Sequence, residues 1–293
     1  MIGKTGGGKS STGNTMMGHR WFESSSSSES VTQKGKTGKI RWKDQYIKIV
    51  DTPGLFDNLM EDDDLKLELI KCMTLVVPGP HIIMYMIRIG RYTKEDIEAA
   101  EKFLKIIGEN LYNWTIIVLT GRDDLEYHNT TKKNYLETAA QEFKSFAKKC
   151  GERYIFVNNR SKDSKCEWIE MYSAINKMLL QNQHSYYNNN LLQTLNEAFD
   201  EIIAERALVD TRIPVEKVAA AAEKEVENGG GILRTLLKST SVGALTCGIF
   251  SAIFDLTIPV IAAGTIVGAG GAAIAVGGAA LGAYAYKKKC TIS

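Results

Sequence analysis

The run Gly3-Lys4-Thr5-Gly6-Gly7-Gly8-Lys9-Ser10 has the spacing G-x-x-x-x-G-K-S, which is that of a phosphate-binding loop. Glycines at these positions let successive backbone N–H groups close around a β-phosphate. Lys9 reaches the β- and γ-phosphates, and the Ser10 hydroxyl is a ligand for Mg²⁺. A helix expected over Ser11–Gly18 adds the positive end of its dipole to the same anion. A second group stands at Asp51-Thr52-Pro53-Gly54, the D-x-x-G of a nucleotide switch. There the aspartate holds Mg²⁺, usually through water, and the Gly54 N–H can sense a γ-phosphate. The two motifs at this separation support each other far better than either does alone.

A guanine ring needs a carboxylate to accept from its N1–H and 2-amino group, and a long basic side chain usually packs over the purine. Thr120-Gly121-Arg122-Asp123-Asp124-Leu125 follows an apolar run at the right place for N-K-x-D. In this reading Asp124 is the guanine carboxylate and Arg122 the stacking cation, with Asp123 and Asp124 also readable as turn or cap residues. Gly121 stands where an asparagine normally ties this loop to the phosphate loop. Asn158, after the next apolar run, falls where a residue should contact the base oxygen. Between the two phosphate motifs, the loop containing the Ser24–Ser28 run lies where a first switch belongs. Thr32 is the candidate threonine that closes over the metal, with Thr37 second. Asp51-Thr-Pro-Gly and Asp124 together oppose a kinase or ATPase.

These side chains need a frame to hold them. Lys39–Trp42 and Tyr46–Val50 read as a strand pair around Lys43-Asp44, and Leu65–Met73 as a short helix. Ile82–Ile89 and Trp114–Leu119 are near-continuous apolar runs, the pattern of strands buried on both faces. Thr93 is a candidate N-cap for a helix carrying Ile97, Ala100, Phe103, Leu104 and Ile107 at helical spacing. A helix over Tyr135–Cys150, a strand at Ile155–Val157 and a helix around Trp168–Leu180 complete the alternation. The expected fold is α/β: a doubly wound phosphate-loop domain with a mostly parallel sheet and its ligand at the carboxyl ends of the strands. Only Met1 and Ile2 precede Gly3, so the first strand is expected to be truncated, with either a longer natural amino terminus or a destabilised GTP site.

The net charge of +2 over 293 residues gives no electrostatic reason to expect a nucleic-acid partner. The cysteines at 72, 150, 166, 247 and 290 have neither C-x-x-C nor histidine partners at ligand spacing, so free thiols in a reducing compartment are expected. Leu191, Leu192, Leu195, Phe199, Ile202 and Ile203 mark an amphipathic helix expected to pack on the nucleotide domain. Val215–Val226 reads as a second, charged helix. Composition then shifts at Asn228-Gly229-Gly230-Gly231, and Leu256–Tyr286 carries no charged residue. That stretch exceeds the roughly 20 apolar residues that span a bilayer, with Gly264-x-x-x-Gly268 and Gly278-x-x-x-Gly282 suited to close helix approach. The chain closes on Lys287-Lys288-Lys289-Cys290-Thr291-Ile292-Ser293, a polybasic patch before a prenylation-type C-a-a-X end. A hairpin keeps both ends of this tail on the cytosolic face of a membrane, where the nucleotide domain is expected to lie. The expected domains are 1–205, a helical extension and linker over 206–231, and a membrane-associating tail over 232–293.

Four stretches together resemble one family: Gly3 to Asn14, Asp51-Thr-Pro-Gly-Leu-Phe-Asp57, Gly90-Arg-Tyr-Thr-Lys-Glu-Asp96, and the pair Arg122–Leu125 with Asn158-Asn159. The chain is similar over residues 1–205 to the GIMAP GTPases, the immunity-associated, AIG-type GTP-binding proteins. The resemblance implies that Gly3, Lys4, Thr5, Gly6, Gly7, Gly8, Lys9, Ser10 and Ser11 cradle the phosphates of GTP or GDP with Mg²⁺. It also implies that Ser24 lies near the nucleotide, and that Arg122, Asp124 and Asn158 read guanine. Similar GTPases dimerise nucleotide to nucleotide, which makes Arg91, in the box peculiar to the family, the candidate for a catalytic finger beside Lys9. Leu55 follows Gly54 where Ras-like GTPases place a water-orienting glutamine, so unaided hydrolysis is expected to be slow. A slow, dimer-stimulated GTPase, a GTP-loaded membrane scaffold that barely hydrolyses, and a chain with impaired nucleotide binding therefore all remain open.

Overall fold

The structure, a computed structural model, describes residues 1–23, 36–54, 71–90, 97, 100, 108–209 and 214–227. Helix α1 covers Lys9–Met17. Strands β1 (Lys36–Trp42) and β2 (Gln45–Asp51) form an antiparallel hairpin around Lys43-Asp44, and Lys43 adopts the positive φ of 52° that the tight turn requires. Strands β3 (Ile83–Arg88), β4 (Thr115–Thr120) and β5 (Tyr154–Val157) form a parallel sheet in the order β3-β4-β5.

The first strand is truncated as expected, reduced to Met1 and Ile2 with an isolated bridge to the sheet. Met1 and Ile2 lie between the hairpin and the parallel sheet and bond to both. The Met1 nitrogen donates to Val50 O at 2.7 Å, and Thr52 N donates back to Met1 O at 3.4 Å. On the other side Ile2 N donates to Met84 O at 2.9 Å, and Met86 N to Ile2 O at 2.8 Å, a parallel bridge to Tyr85. These bonds use main-chain groups, and they place Met1 and Ile2 in the slot between β2 and β3, directly before the loop that begins at Gly3.

Helices cover both faces, giving the doubly wound α/β arrangement. On one face Met84, Met86, Ile116, Val118 and Val157 pack against Met16 of α1 and against Trp168, Met171 and Ile175 of α5 (Ser164–Gln181). Asp163 caps α5 by accepting from Cys166 N at 3.0 Å. The alternate residues Tyr85, Ile87, Ile117 and Leu119 face the other layer, where α4 (Gln141–Lys149) contributes Phe143 and Phe146. The single helix expected over Tyr135–Cys150 is two: α3 (Lys132–Thr138) and α4, separated by Ala139 and Ala140 in extended conformation. A further short helix, α2 (Arg122–Tyr127), forms over the residues read as a base-binding loop.

The amphipathic segment is α6 (Asn190–Val209), and it packs on the nucleotide domain as its pattern implies. Leu192, Leu195, Phe199 and Ile203 join the same buried cluster as Ile117 and Phe146, together with Ala222 and Val226 of α7 (Val215–Glu227). The boundary expected at 205 falls inside α6. Among the described residues no helix is long and apolar enough to cross a membrane. The Gly/Ala-rich tail over 232–293, with Cys290, lies outside the described residues. Because Leu195 is fully buried, Leu195→Ala should lower the unfolding free energy by about 2–5 kcal/mol, read by urea denaturation. A loss below about 0.5 kcal/mol would mean that α6 is not part of the core.

Candidate functional site

The loop from Gly3 to Gly8 runs so close to the strand ends that it admits no side chains at two of its glycines. A Cβ on Gly3 would stand 2.6 Å from Met86 O, and one on Gly8 2.9 Å from the Thr120 side chain. Gly3, Gly6 and Gly8 all take positive φ (145°, 77° and 91°), a region that glycine enters without steric cost. Gly7 N donates to Lys4 O at 3.0 Å, and Thr12 N to Gly8 O at 2.8 Å, so the loop passes directly into α1 with no acidic residue in the first turn. The Lys9 side chain is buried and folds back over the loop, its Nζ donating to Gly3 O at 2.9 Å and Lys4 O at 3.0 Å. Lys4, Thr5 and Ser11 belong to this same turn and the first residues of α1.

Ser10 and Asp51 meet as the metal reading requires. Ser10 Oγ donates to Asp51 Oδ2 at 2.6 Å. Asp51 is fully buried, and its Oδ1 has no hydrogen-bond partner. Burial pushes its carboxyl above the ordinary value, opposed by the Ser10 hydrogen bond and the nearby Lys9 ammonium. A serine hydroxyl beside a buried carboxylate with an oxygen to spare is a hard-oxygen donor set, and it fits Mg²⁺. Gly54 is buried at the end of this segment. Thr37, the second candidate for the closing threonine, sits in β1 opposite Val50, and its carbonyl accepts from Trp21 Nε1. Ser24, Thr32, Leu55 and Arg91 lie outside the described residues.

The residues expected to read the base cluster at the ends of β4 and β5, but their side chains do not all point as that role requires. The tie between the two loops, missing at Gly121, is made one residue earlier: Thr120 Oγ1 donates to Gly7 O at 2.9 Å. Arg122 points into α5, where Nη2 donates to Glu167 Oε1 and Nη1 to Glu170 Oε2, while Nε donates to Glu126 Oε1. Glu167 is 4% exposed and also accepts from Asn158 N at 3.1 Å, so one buried carboxylate anchors both loops. The Asn158 side chain accepts from Arg160 N at 2.9 Å. Arg160 in turn donates to Asp123 Oδ2 at 3.0 Å, which turns Asp123 toward the Asn158 loop. Asp124 instead accepts from Arg88 Nη2 at 3.0 Å. Asn159 fastens the same loop to α1, donating to Thr12 Oγ1 and accepting from Thr15 Oγ1, each at 2.9 Å. Thr120, Asn159, Glu167 and Arg88 were not singled out from the sequence. Thr120 carried a signal as the hydroxyl that ends the β4 run, and Asn159 as the neighbour of Asn158 in the stretch that carries the family resemblance.

This geometry agrees with what known proteins say of the chain. The description of the AIG1 family matches residues 1–206. Immune-associated nucleotide-binding protein 10 of Arabidopsis thaliana is 34% identical over 168 residues, covering 56% of this chain and 36% of that protein. Immune-associated nucleotide-binding protein 9 of the same plant is 30% identical over 202 residues, covering 67% and 59%. The chain therefore spans between about a third and three fifths of the length of these curated relatives. Among solved structures, Toc33 from Arabidopsis thaliana in complex with GDP and Mg²⁺ aligns over 64% of this chain and 85% of that one, with a TM-score of 0.47 and 22% identity. The glycine loop, Asp51 and the loops after β4 and β5 meet at the carboxyl ends of the strands, the family's match runs through all of them, and the chain belongs to the AIG1 family.

Proposed function

We propose that this chain is a guanine-nucleotide switch that holds GTP or GDP with Mg²⁺, hydrolyses GTP slowly alone and faster as a nucleotide-to-nucleotide dimer, and works at a membrane surface. The observation that carries the reading is the Ser10–Asp51 pair, with Asp51 Oδ1 buried and open, set beneath a glycine loop whose Lys9 is already positioned. The loop N–H groups take the phosphate oxygens, and the Lys9 ammonium neutralises charge at the β- and γ-positions. Ser10 and Asp51 hold the metal, Asp51 through water. Held by Ser10 and Asp51, Mg²⁺ would supply positive charge to offset that of the phosphates. The Gly54 N–H reports whether a γ-phosphate is present.

The hydrolytic part rests on two residues outside the described ones. Leu55 cannot orient a water, so positioning must come from elsewhere. An arginine delivered by a second copy contributes on the order of 10³–10⁵ in rate in such enzymes, and Arg91 is the residue assigned to that role. The membrane part rests on the uncharged 256–286 stretch and on Lys287–Lys289 before Cys290, lysines that favour anionic lipid by about 1 kcal/mol each. A second reading, a GTP-loaded scaffold that barely turns over, is favoured by Leu55 alone.

Two experiments test this. In single-turnover assays the hydrolysis rate should rise with protein concentration, and Arg91→Ala should remove that rise while leaving GTP binding over ATP intact. A concentration-independent rate, unchanged by Arg91→Ala, would leave the scaffold reading. For the metal, Asp51→Asn should weaken Mg²⁺ binding to the GDP complex about 10–100-fold. The pH dependence has two opposite limbs. Metal-free folded protein holds the Asp51 proton to higher pH than the unfolded chain does, because burial raises that carboxyl. Protonated Asp51 therefore favours the fold, and this contribution is lost as pH climbs through the raised value. Mg²⁺ needs the ionised form, so the Mg²⁺-dependent gain in melting temperature should grow over the same interval. Identical Mg²⁺ titrations for the wild type and Asp51→Asn would remove Asp51 from the metal site.

A further inference from the structure

We infer that Arg88, at the end of β3, is the cation that packs over the purine, and that Arg122 serves the fold of the site instead. This assignment rests on the guanine-nucleotide reading above and deepens it.

Arg122 is committed elsewhere. All three of its guanidinium nitrogens donate to carboxylates, two of them on α5, and its side chain is 17% exposed. Swinging it out over a base would strip the buried Glu167 of its cation. Removing one partner of a buried pair is strongly unfavourable, so nucleotide binding would have to work against the anchor of its own loops.

Arg88 has the opposite properties. Along β3 it shares the alternation of Met84 and Met86, which pack on the face of the sheet that carries Met16 of α1. That is the side where the phosphate loop and Thr120 meet. Next to it Gly121 bears no side chain and has a φ of 85°. The Cζ and Nε of Arg88 each stand 3.8 Å from where a Gly121 Cβ would be. Asp124 Oδ2 is closer still, 3.0 Å from that point, so the Arg88–Asp124 pair borders the space beside Gly121, with the guanidinium reaching it from the neighbouring strand. Its Nη2 bond to Asp124 Oδ2 fixes the plane, and the pair stays partly open, at 26% and 38% exposure. It borders a cleft of about 540 Å³ that Arg160 also lines. A guanidinium is flat and weakly hydrated, suited to lying on a ring face.

The two adjacent carboxylates then divide the work. Asp124 positions Arg88. Asp123, 3.0 Å from Arg160 Nη1 where Asp124 Oδ1 stands at 4.0 Å, is held toward the Asn158 loop and is the one that accepts from guanine N1–H and the 2-amino group.

Displacement of a fluorescent GDP from the full chain in Mg²⁺ tests this, with unlabelled GDP and inorganic pyrophosphate as the competing probes. Arg88→Ala should weaken GDP about tenfold and leave pyrophosphate affinity and melting temperature at wild-type values. Arg88→Lys should recover less than half of that loss on a logarithmic scale, because an ammonium offers no plane. Asp124→Asn should lose about as much as Arg88→Ala, and the double variant should lose no more than either. Asp123→Asn, whose amide donates where the carboxylate accepted, should shift preference from GDP to XDP. Arg88→Ala within twofold of wild type for GDP, equal losses for GDP and pyrophosphate, or an XDP preference in Asp124→Asn would each overturn the assignment. A wild-type chain that binds no GDP would overturn the underlying reading as well.

Discussion

The site depends on how closely the Gly3–Gly8 backbone lies against the ends of β3 and β4. Met86 O and the Thr120 side chain occupy the volume that a Cβ at Gly3 or Gly8 would need. Thr120 Oγ1 then fixes the loop by bonding to Gly7 O. This contact sets the direction of the loop N–H groups, the start of α1 and so the location of Ser10. It also couples the phosphate end of the site to the base end, because the same Thr120 opens the turn that carries Gly121, Asp123 and Asp124. A substitution at either glycine would add strain at a positive φ to a steric clash, and the two penalties have separate causes.

Buried polar groups fix the rest of the geometry. Glu167, enclosed in α5, receives Arg122 from one base-reading loop and the Asn158 N–H from the other. Asn159 then ties the second loop to Thr12 and Thr15 of α1. Such pairs add little net stability, since desolvation offsets most of their attraction, but the loops cannot move independently without leaving one of these groups unpaired. The result is that Glu167 and Asn159, with Thr12 and Thr15, hold the two loops to each other and to α1 and α5.

Much of this could be read from the sequence, and the exceptions have physical reasons. The phosphate loop and Asp51 were legible because their chemistry is local: glycines set the backbone, and the lysine, serine and aspartate sit at fixed offsets. The strands around Ile83–Arg88 and Thr115–Thr120 were legible because burial on both faces leaves an unbroken apolar run. The break at Ala139-Ala140 was not, since alanine is the best helix former and the two residues are extended in the folded chain. Two residues filling a strand slot were also invisible, because ladder bonds use main-chain groups that every residue carries. Glu167 resembled any solvated charge on a helix, and Arg88 any polar residue ending a strand. Their partners, Arg122 and Asp124, are distant in sequence, and only the sheet order brings them together.

That sheet order also explains how the base site can work without a side chain at 121. A motif fixes which residue types are adjacent along one loop, whereas the volume over a purine is bounded by several strand ends at once. In this chain β3 and β4 run parallel with Arg88 opposite Thr120, so a long side chain from β3 reaches the space beside Gly121. Glycine there costs little to the site's chemistry because the neighbouring strand supplies the missing atoms. The positive φ at Gly121 has a positive use, since it lets the turn tighten into α2 and brings Asp124 within reach of Arg88. The departure at Gly121 and the arginine at 88 are thus two sides of one packing solution: a Cβ at 121 would touch Arg88 at 3.8 Å, crowd Asp124 Oδ2 at 3.0 Å and strain the backbone at a φ of 85°.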